Sequence, residues 1–304
     1  MNPIIKKILL PLVMMRRWHD DRLRRTNPER LFSVYHKRST GKYLNIDNPQ
    51  TLDDKIAYMA FRTDTSEWSR LADKVRVREY VRECGYGDNL TKLYGVWKRG
   101  ADVDFDALPH SFVIKTNNGS ATNILVKDKE KADIKSIREQ LDKWLAVDYG
   151  YRTAQPHYSR IKPLILAEEY LVDDESEKAG KPLNDYKFYC VNGKPMYVFV
   201  YSDRKPNSHD MKRSIYDMEW NIHQEYLNRL AVAGAGIKRP VSFDSMKEMA
   251  AKLAQGFPFV RVDFYEINGK PIFGEMTFTP GMQEASNEFL SILGKQIIIE
   301  QPVS

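Results

Sequence analysis

The sequence predicts an α+β fold, a helix–strand mixture whose C-terminal half is rich in hairpins. Three observations predict it. Helical signals recur at residues 51–62, 69–84, 133–147 and 243–255; the last has an N-cap candidate in Ser242 or Asp244 and stops at Gly256. Strand-like runs occupy 111–115, 124–126, 164–168, 186–191, 195–201, 213–216, 259–266 and 271–277. Asn192-Gly193 and Asn268-Gly269 stand between consecutive runs, and Asn-Gly is the dipeptide that tight hairpin turns select. Hairpin-linked strands mixed with helices give α+β rather than a doubly wound sheet.

A chain of 304 residues makes one large domain or two of ordinary size. With 42% hydrophobic and 29% charged residues it builds a sizeable core, which excludes disordered and collagen-like architectures. The net charge is +6, and its location matters more than its size. Residues 1–42 carry eleven basic side chains against Asp20, Asp21 and Glu29, a local +8 that leaves the remainder at −2. The basicity belongs to an N-terminal arm, so no nucleic-acid partner is expected. Cys84 and Cys190 form no disulfide framework, and a cytoplasmic location is expected. The six histidines show no zinc-ligand spacing.

Within the arm, residues 4–15 are apolar but interrupted by Lys6, Lys7 and Pro11, about half of the ~20 residues a spanning helix needs. No small-residue cleavage site follows; Arg16-Arg17 does. Two readings stay open. One is a helix docked on the domain or on a partner subunit. The other is peripheral contact through residues 1–25 with the inner face of the cytoplasmic membrane.

The last hairpin carries the chemistry. A two-residue turn at Asn268-Gly269 pairs Ile267 with Lys270 and sets Asp263 opposite Gly274, so that Asp263 and Glu275 face opposite sides. A three-residue loop, Asn-Gly-Lys, pairs Ile267 with Pro271 and shifts the register by one. Arg261, Asp263, Glu275 and Thr277 then share one face, and Val262, Phe264, Ile272, Met276 and Phe278 the core face. Two carboxylates directly opposite repel unless a cation lies between them, and hard oxygen donors suit Mg²⁺. Upstream, Lys115 ends a strand and a small polar loop, 116–123, follows; an ammonium beside exposed backbone N–H groups can hold phosphate.

The RVD at 261–263 followed by GEMTFTPGM at 274–282 resembles the metal-binding end of ATP-grasp ligases, and the surrounding chain resembles the TupA-like ATP-grasp family, named for teichuronopeptide biosynthesis. The resemblance runs over most of residues 45–285, through LADKVRVREYV (71–81), GVW (95–97), FVIKTNNGS (112–120), AEEYL (167–171), NDYKFYCVNGKP (184–195) and GFPFVRVD (256–263). It implies an ATP-grasp fold with ATP held between two α+β subdomains, about 110–170 and 171–285; the basic helical arm (1–44), read from the charge distribution, precedes that domain and a tail (286–304) follows it.

It also implies roles. Lys115, Gly119, Ser120, Arg78 and Lys187 would reach the ATP phosphates, with Asp185 as partner of Lys187. Glu168, Glu169 and Leu171 would meet adenine and Glu175 the ribose. Asp263, Glu275 and Thr277 would hold Mg²⁺, Thr277 standing where many relatives have Asn. Arg261 would be catalytic, stabilising an acyl phosphate. Relatives carry more glycine where this chain has Ala121-Thr122, which implies a stiffer loop. The reaction implied is amide formation from a carboxylate and an amine, with a uronic-acid glycan and an amino acid or peptide as the substrates expected from cell-surface polysaccharide assembly. Tyr197, Tyr201, Arg204 and Lys205 are candidates for an acidic-substrate site. A glycosyltransferase is the alternative enzyme, but the Asp102-Val103-Asp104 run lies in a surface turn. A non-catalytic ATP-binding module is the third reading.

Overall fold

The computed structural model describes residues 3–178, 180–204, 211–229, 231–234 and 236–299, without the side chains of residues 3–9, 12 and 175. Two helices come first: α1 (Pro3–Thr26) and α2 (Pro28–Thr40). Asn27 caps α2 by accepting from the Arg30 amide at 2.8 Å, Pro28 supplies the preset first turn, and Gly41 at φ +84° ends it. Helix α3 (Leu52–Arg62) begins in a capping box between Thr51 and Asp54.

The expected single helix over 69–84 is two, α4 (Ser66–Ala72) and α5 (Val77–Glu83). The break has a cause: Asp73 Oδ1 accepts from the Val75 amide (2.8 Å) and from Asn117 Nδ2 (2.9 Å), giving the backbone an alternative to the helix. Strand β1 (Leu93–Trp97) is absent from the sequence expectations, and β2 (Phe112–Thr116) and β3 (Asn123–Val126) match them. Helices α6 (Ile134–Leu145), α7 (Tyr149–Thr153) and α8 (Pro156–Ser159) lead into β4 (Ile165–Glu169). Among the described residues, β1–β4 form an antiparallel sheet in the order β1-β4-β2-β3. Its core joins Phe112, Ile114, Ile165 and Ala167 to Ile137 and Leu141 of α6.

A short helix α9 (Asp174–Lys178) precedes β5 (Asp185–Val191), β6 (Lys194–Ser202), β7 (Lys212–Asp217), α10 (Phe243–Leu253), β8 (Phe259–Ile267) and β9 (Lys270–Thr277). These five strands form a second antiparallel sheet, β7-β6-β5-β8-β9. Helix α10 buries Phe243, Met246, Met249, Ala250 and Leu253 on one face of it; each fully buried large apolar side chain contributes about 1.5–3 kcal/mol. The segment from 286, expected as a tail, holds α11 (Asn287–Gln296), capped by Ser286 and buried through Phe289, Leu290 and Leu293. Phe289 meets Tyr189, Tyr197 and Phe199 on the sheet's other face.

The register of β8 and β9 combines parts of both expectations. The turn is the two-residue one: Asn268 and Gly269 take φ +49° and +76°, and Ile267 pairs with Lys270. Asp263 nevertheless pairs with Glu275 and Arg261 with Thr277, because the register shifts between Asp263 and Phe264, leaving Gly274 unpaired as a bulge. A Cβ at Gly274 would lie 3.0 Å from the Asp263 carbonyl oxygen, so the bulge takes a residue without one. The bulge also corrects the core face: below it Phe273, 5% exposed, faces inward opposite Phe264, and Ile272 sits half-buried opposite Tyr265.

Candidate active site

The bulge brings four polar side chains to one face. Arg261 donates from Nε to Asp263 Oδ1 (2.7 Å) and from Nη2 to Asp263 Oδ2 (2.6 Å); the same Nη2 lies 3.0 Å from Glu275 Oε1 and from Thr277 Oγ1. Thr277 donates to Glu275 Oε1 at 3.3 Å. Strand β5 adds Lys187 opposite Asp263, its Nζ 2.6 Å from Asp263 Oδ2 and 3.9 Å from Asp185 Oδ2. Arg204 also reaches Asp185, at 3.3 Å.

The first sheet faces this cluster with Lys115, which is ion-paired to Glu168 across β2 and β4. Between the sheets stands Lys74, a residue within the 71–81 run to which the sequence assigned no role. Its Nζ donates to the Gly119 carbonyl at 2.6 Å and lies 3.9 Å from Glu275 Oε2. The break between α4 and α5 puts it there, and Asn117 fixes the break: its side chain binds Asp73, the Lys162 carbonyl and the Leu164 amide, and its carbonyl accepts from the Lys74 amide. The available signal is the polar pair Asp73-Lys74 inside the expected helix 69–84 and the pair Asn117-Asn118 just past the expected strand 111–115.

The charges are mutually compensating. Burial raises the pKa of Glu275, but Lys74, Arg261, Lys187 and Lys115 outweigh it and hold the carboxyl at about 2. Burial pushes the Lys74 ammonium below its ordinary value, opposed by Glu275 and Glu168. Tyr149 and Tyr158, brought by α7 and α8, are raised by burial and by Glu275.

Other expected residues fall in several places. Arg78 is not on the Asp263 face; it is buried, donates to Thr91 Oγ1 at 3.1 Å, and lies 3.9 Å from Glu168 Oε2. Glu168 and Glu169 are in the β4 ladder, Glu169 with its amide bonded to the Lys92 carbonyl, and Leu171 lies just past the strand. Gly119 and Ser120 lie in the loop between β2 and β3, where a Cβ at Gly119 would be 3.0 Å from the Tyr149 ring. Ala121 in that loop has φ +58°, a glycine-like conformation adopted without glycine, which costs roughly 1 kcal/mol. Glu175 is on α9, its side chain outside the described atoms. Tyr201 is at the site, its ring 5.3 Å from Lys187 Nζ and its hydroxyl donating to Glu284. Tyr197 is not; it packs edge-on against His223, Tyr226 and Phe289. Lys205 lies outside the described residues.

The donor set fits a hard divalent cation. Among the described residues no group of three or more His, Cys, Asp or Glu side chains converges on a metal position. Asp263, Glu275 and the Thr277 hydroxyl supply oxygens only, the set expected where phosphates and waters complete an Mg²⁺ shell.

The family model for TupA-like ATP-grasp proteins matches residues 54–298. A search among curated proteins finds no match. Among solved structures, the chain is similar to a D-alanine–D-alanine ligase from Bacillus anthracis complexed with ATP, at 14% identity over 84% of this chain and 75% of that one, with a TM-score of 0.49. It is similar also to an L-amino acid ligase from Bacillus licheniformis (14% identity, 75% of this chain, 48% of that one, TM-score 0.47). A D-alanine–D-alanine ligase from Helicobacter pylori shows 16% identity over 82% and 70% of the two chains, with a TM-score of 0.43. These structural likenesses are loose; the family match covers most of the chain.

Proposed function

The chain belongs to the TupA-like ATP-grasp family, and from that premise we propose that it is an ATP-dependent carboxylate–amine ligase working on cell-surface polysaccharide, joining an amino acid or peptide to a uronic-acid carboxylate. The observation that carries this reading is the convergence of Lys74, Lys115, Lys187 and Arg261 on Asp263 and Glu275 between two sheets. Four cations gathered against Asp263 and Glu275, with Glu168 and Asp185 as further partners, can exchange carboxylate for phosphate oxygens, and the paired carboxylates are a seat for the cation that accompanies a polyphosphate.

In this reading Asp263 and Glu275, with Thr277, hold Mg²⁺. Bound there, the metal neutralises phosphate charge. Lys187 and Arg261 then exchange their hydrogen bonds to Asp263 for phosphate oxygens. Lys115 and the amides of Gly119 and Ser120 hold the outer phosphates. The backbone near Glu168, Glu169 and Leu171 takes adenine, Glu175 the ribose, and Arg78 acts from behind through Glu168. A carboxylate oxygen attacks the γ-phosphorus and ADP leaves; an amine then attacks the acyl carbon, phosphate leaves, and one proton is lost to give the amide. In the same reading Arg261 stabilises the negative charge that develops in both steps. Tyr201 and Arg204 support an acidic acceptor near Lys187 and Asp185.

The test is ADP release with Mg²⁺-ATP across a panel of uronic acids and amines, with the wild type beside Asp263→Asn and Glu275→Gln. The expected result is turnover that needs both a carboxylate and an amine and is lost in both variants. UDP release from a sugar nucleotide without ATP would overturn the reading.

A further inference from the structure

We propose that the N-terminal half of α1 is a docking element for the surface of an anionic lipid bilayer. This goes beyond the ligase reading and does not depend on it. The helix is held from Asp20 onward: Asp20, 8% exposed, accepts from Arg38 of α2 at 2.6 and 2.8 Å, and Arg24 lies 5.5 Å from the Tyr151 ring. Before that point every described side chain from Leu10 to His19 is exposed, so the body covers none of this stretch. The reading of a helix docked on its own domain therefore does not hold for these residues.

The exposed surface is of a particular kind. Leu10, Met14 and Trp18 are 58%, 61% and 65% exposed and lie at four-residue spacing, one ridge of the helix, with Val13 and Met15 flanking it. From residue 3 to residue 19 the chain carries Lys6, Lys7, Arg16 and Arg17 and no acidic residue. A second copy would set cations against cations, and a nucleic acid would leave the Leu10–Met14–Trp18 ridge uncovered. A bilayer surface takes both: the ridge enters the acyl boundary, Trp18 sits at headgroup level, and the arginines reach phosphodiesters by extending their stems outward. Crossing is excluded for the described helices, none of which is long and apolar enough.

The full chain is to be sedimented with vesicles of phosphatidylcholine alone or with about one third phosphatidylglycerol, an anionic surface of the kind that attracts basic segments. The wild type should sediment with the anionic vesicles and not with the neutral ones. Arg16→Glu with Arg17→Glu, and separately Leu10→Gln with Met14→Gln, should each lower the bound fraction at least about tenfold, with far-ultraviolet circular dichroism unchanged. Anionic vesicles should shift tryptophan emission to the blue, and Trp18→Phe should remove that shift. A chain that stays in the supernatant with both vesicles, whether monomeric or dimeric, overturns the proposal. So does equal binding to neutral vesicles, or binding that neither pair of substitutions weakens.

Discussion

Asp263 stands directly opposite Glu275 across the β8–β9 hairpin, and Gly274 is the reason. With a two-residue turn and no bulge, Asp263 would face Gly274 and Glu275 would point into the core. A Gly274→Ala methyl would approach the Asp263 carbonyl oxygen to 3.0 Å. Relieving that contact should cost about 1–3 kcal/mol, lowering the melting temperature, and ATP turnover should fall with it. A variant with unchanged melting and turnover would show that the bulge does not depend on glycine.

Lys74 ties the loop between β2 and β3, through Gly119, to Glu275. Lys74→Met keeps most of the stem and removes the ammonium. Losing a charge-assisted hydrogen bond of about 1.5–3 kcal/mol corresponds to a turnover loss of roughly 10- to 100-fold. Steady-state kinetics in ATP checks this, with circular dichroism as the control for folding; unchanged kinetics would make Lys74 a spectator.

Glu275 is held at about 2 against an ordinary 4.5. A lowered folded-state pKa contributes stability that is present above the unfolded value and lost as pH falls through the folded one. Wild type should therefore be more stable than Glu275→Gln at neutral pH. The gap should narrow from about pH 4.5 downward and close near pH 2. Melting curves across the acid range measure it, and a gap independent of pH would contradict the assignment.

His36 carries the opposite dependence. Its Nδ1 is 2.8 Å from the Lys42 carbonyl oxygen and its Nε2 is 2.8 Å from Asp53 Oδ2. Both partners offer oxygens to the ring nitrogens, an arrangement that favours the doubly protonated ring. Burial works against that charge, but Asp53 and the Lys42 carbonyl hold the pKa above 6.5. The contribution is complete below 6.5 and lost as pH rises through the raised folded value, with a slope of at most about 1.4 kcal/mol per pH unit. His36→Gln should flatten that alkaline decline in melting temperature; an unchanged decline would place its origin elsewhere.

Much of this was legible in the sequence because it rests on local chemistry. The Asn-Gly turns, the helix over 51–62 and the alternation in β8 are each decided within a few residues. What was hidden depended on distant contacts. Leu93–Trp97 is interrupted by Gly95 and becomes a strand only by pairing with β4. Lys74 lies inside the helix expected over 69–84, and only Asn117, more than forty positions away, opens that helix at Asp73. The facing of Asp263 and Glu275 follows from a bulge and not from a longer loop; both devices produce that pair and differ in how residues 270–274 pair between it and the turn. Ser286 followed by apolar positions 289, 290, 293 and 297 was a readable helix signal that went unused.

The most direct test of the central claim, that the face formed by β5, β8 and β9 seats a nucleotide and its cation, is calorimetric titration of the protein with ATP in the presence and absence of Mg²⁺. The account predicts Mg²⁺-dependent binding that Glu275→Gln and Lys187→Met each weaken at least about tenfold, the loss expected from removing one charge-assisted contact. Binding of equal strength in wild type and both variants would contradict it.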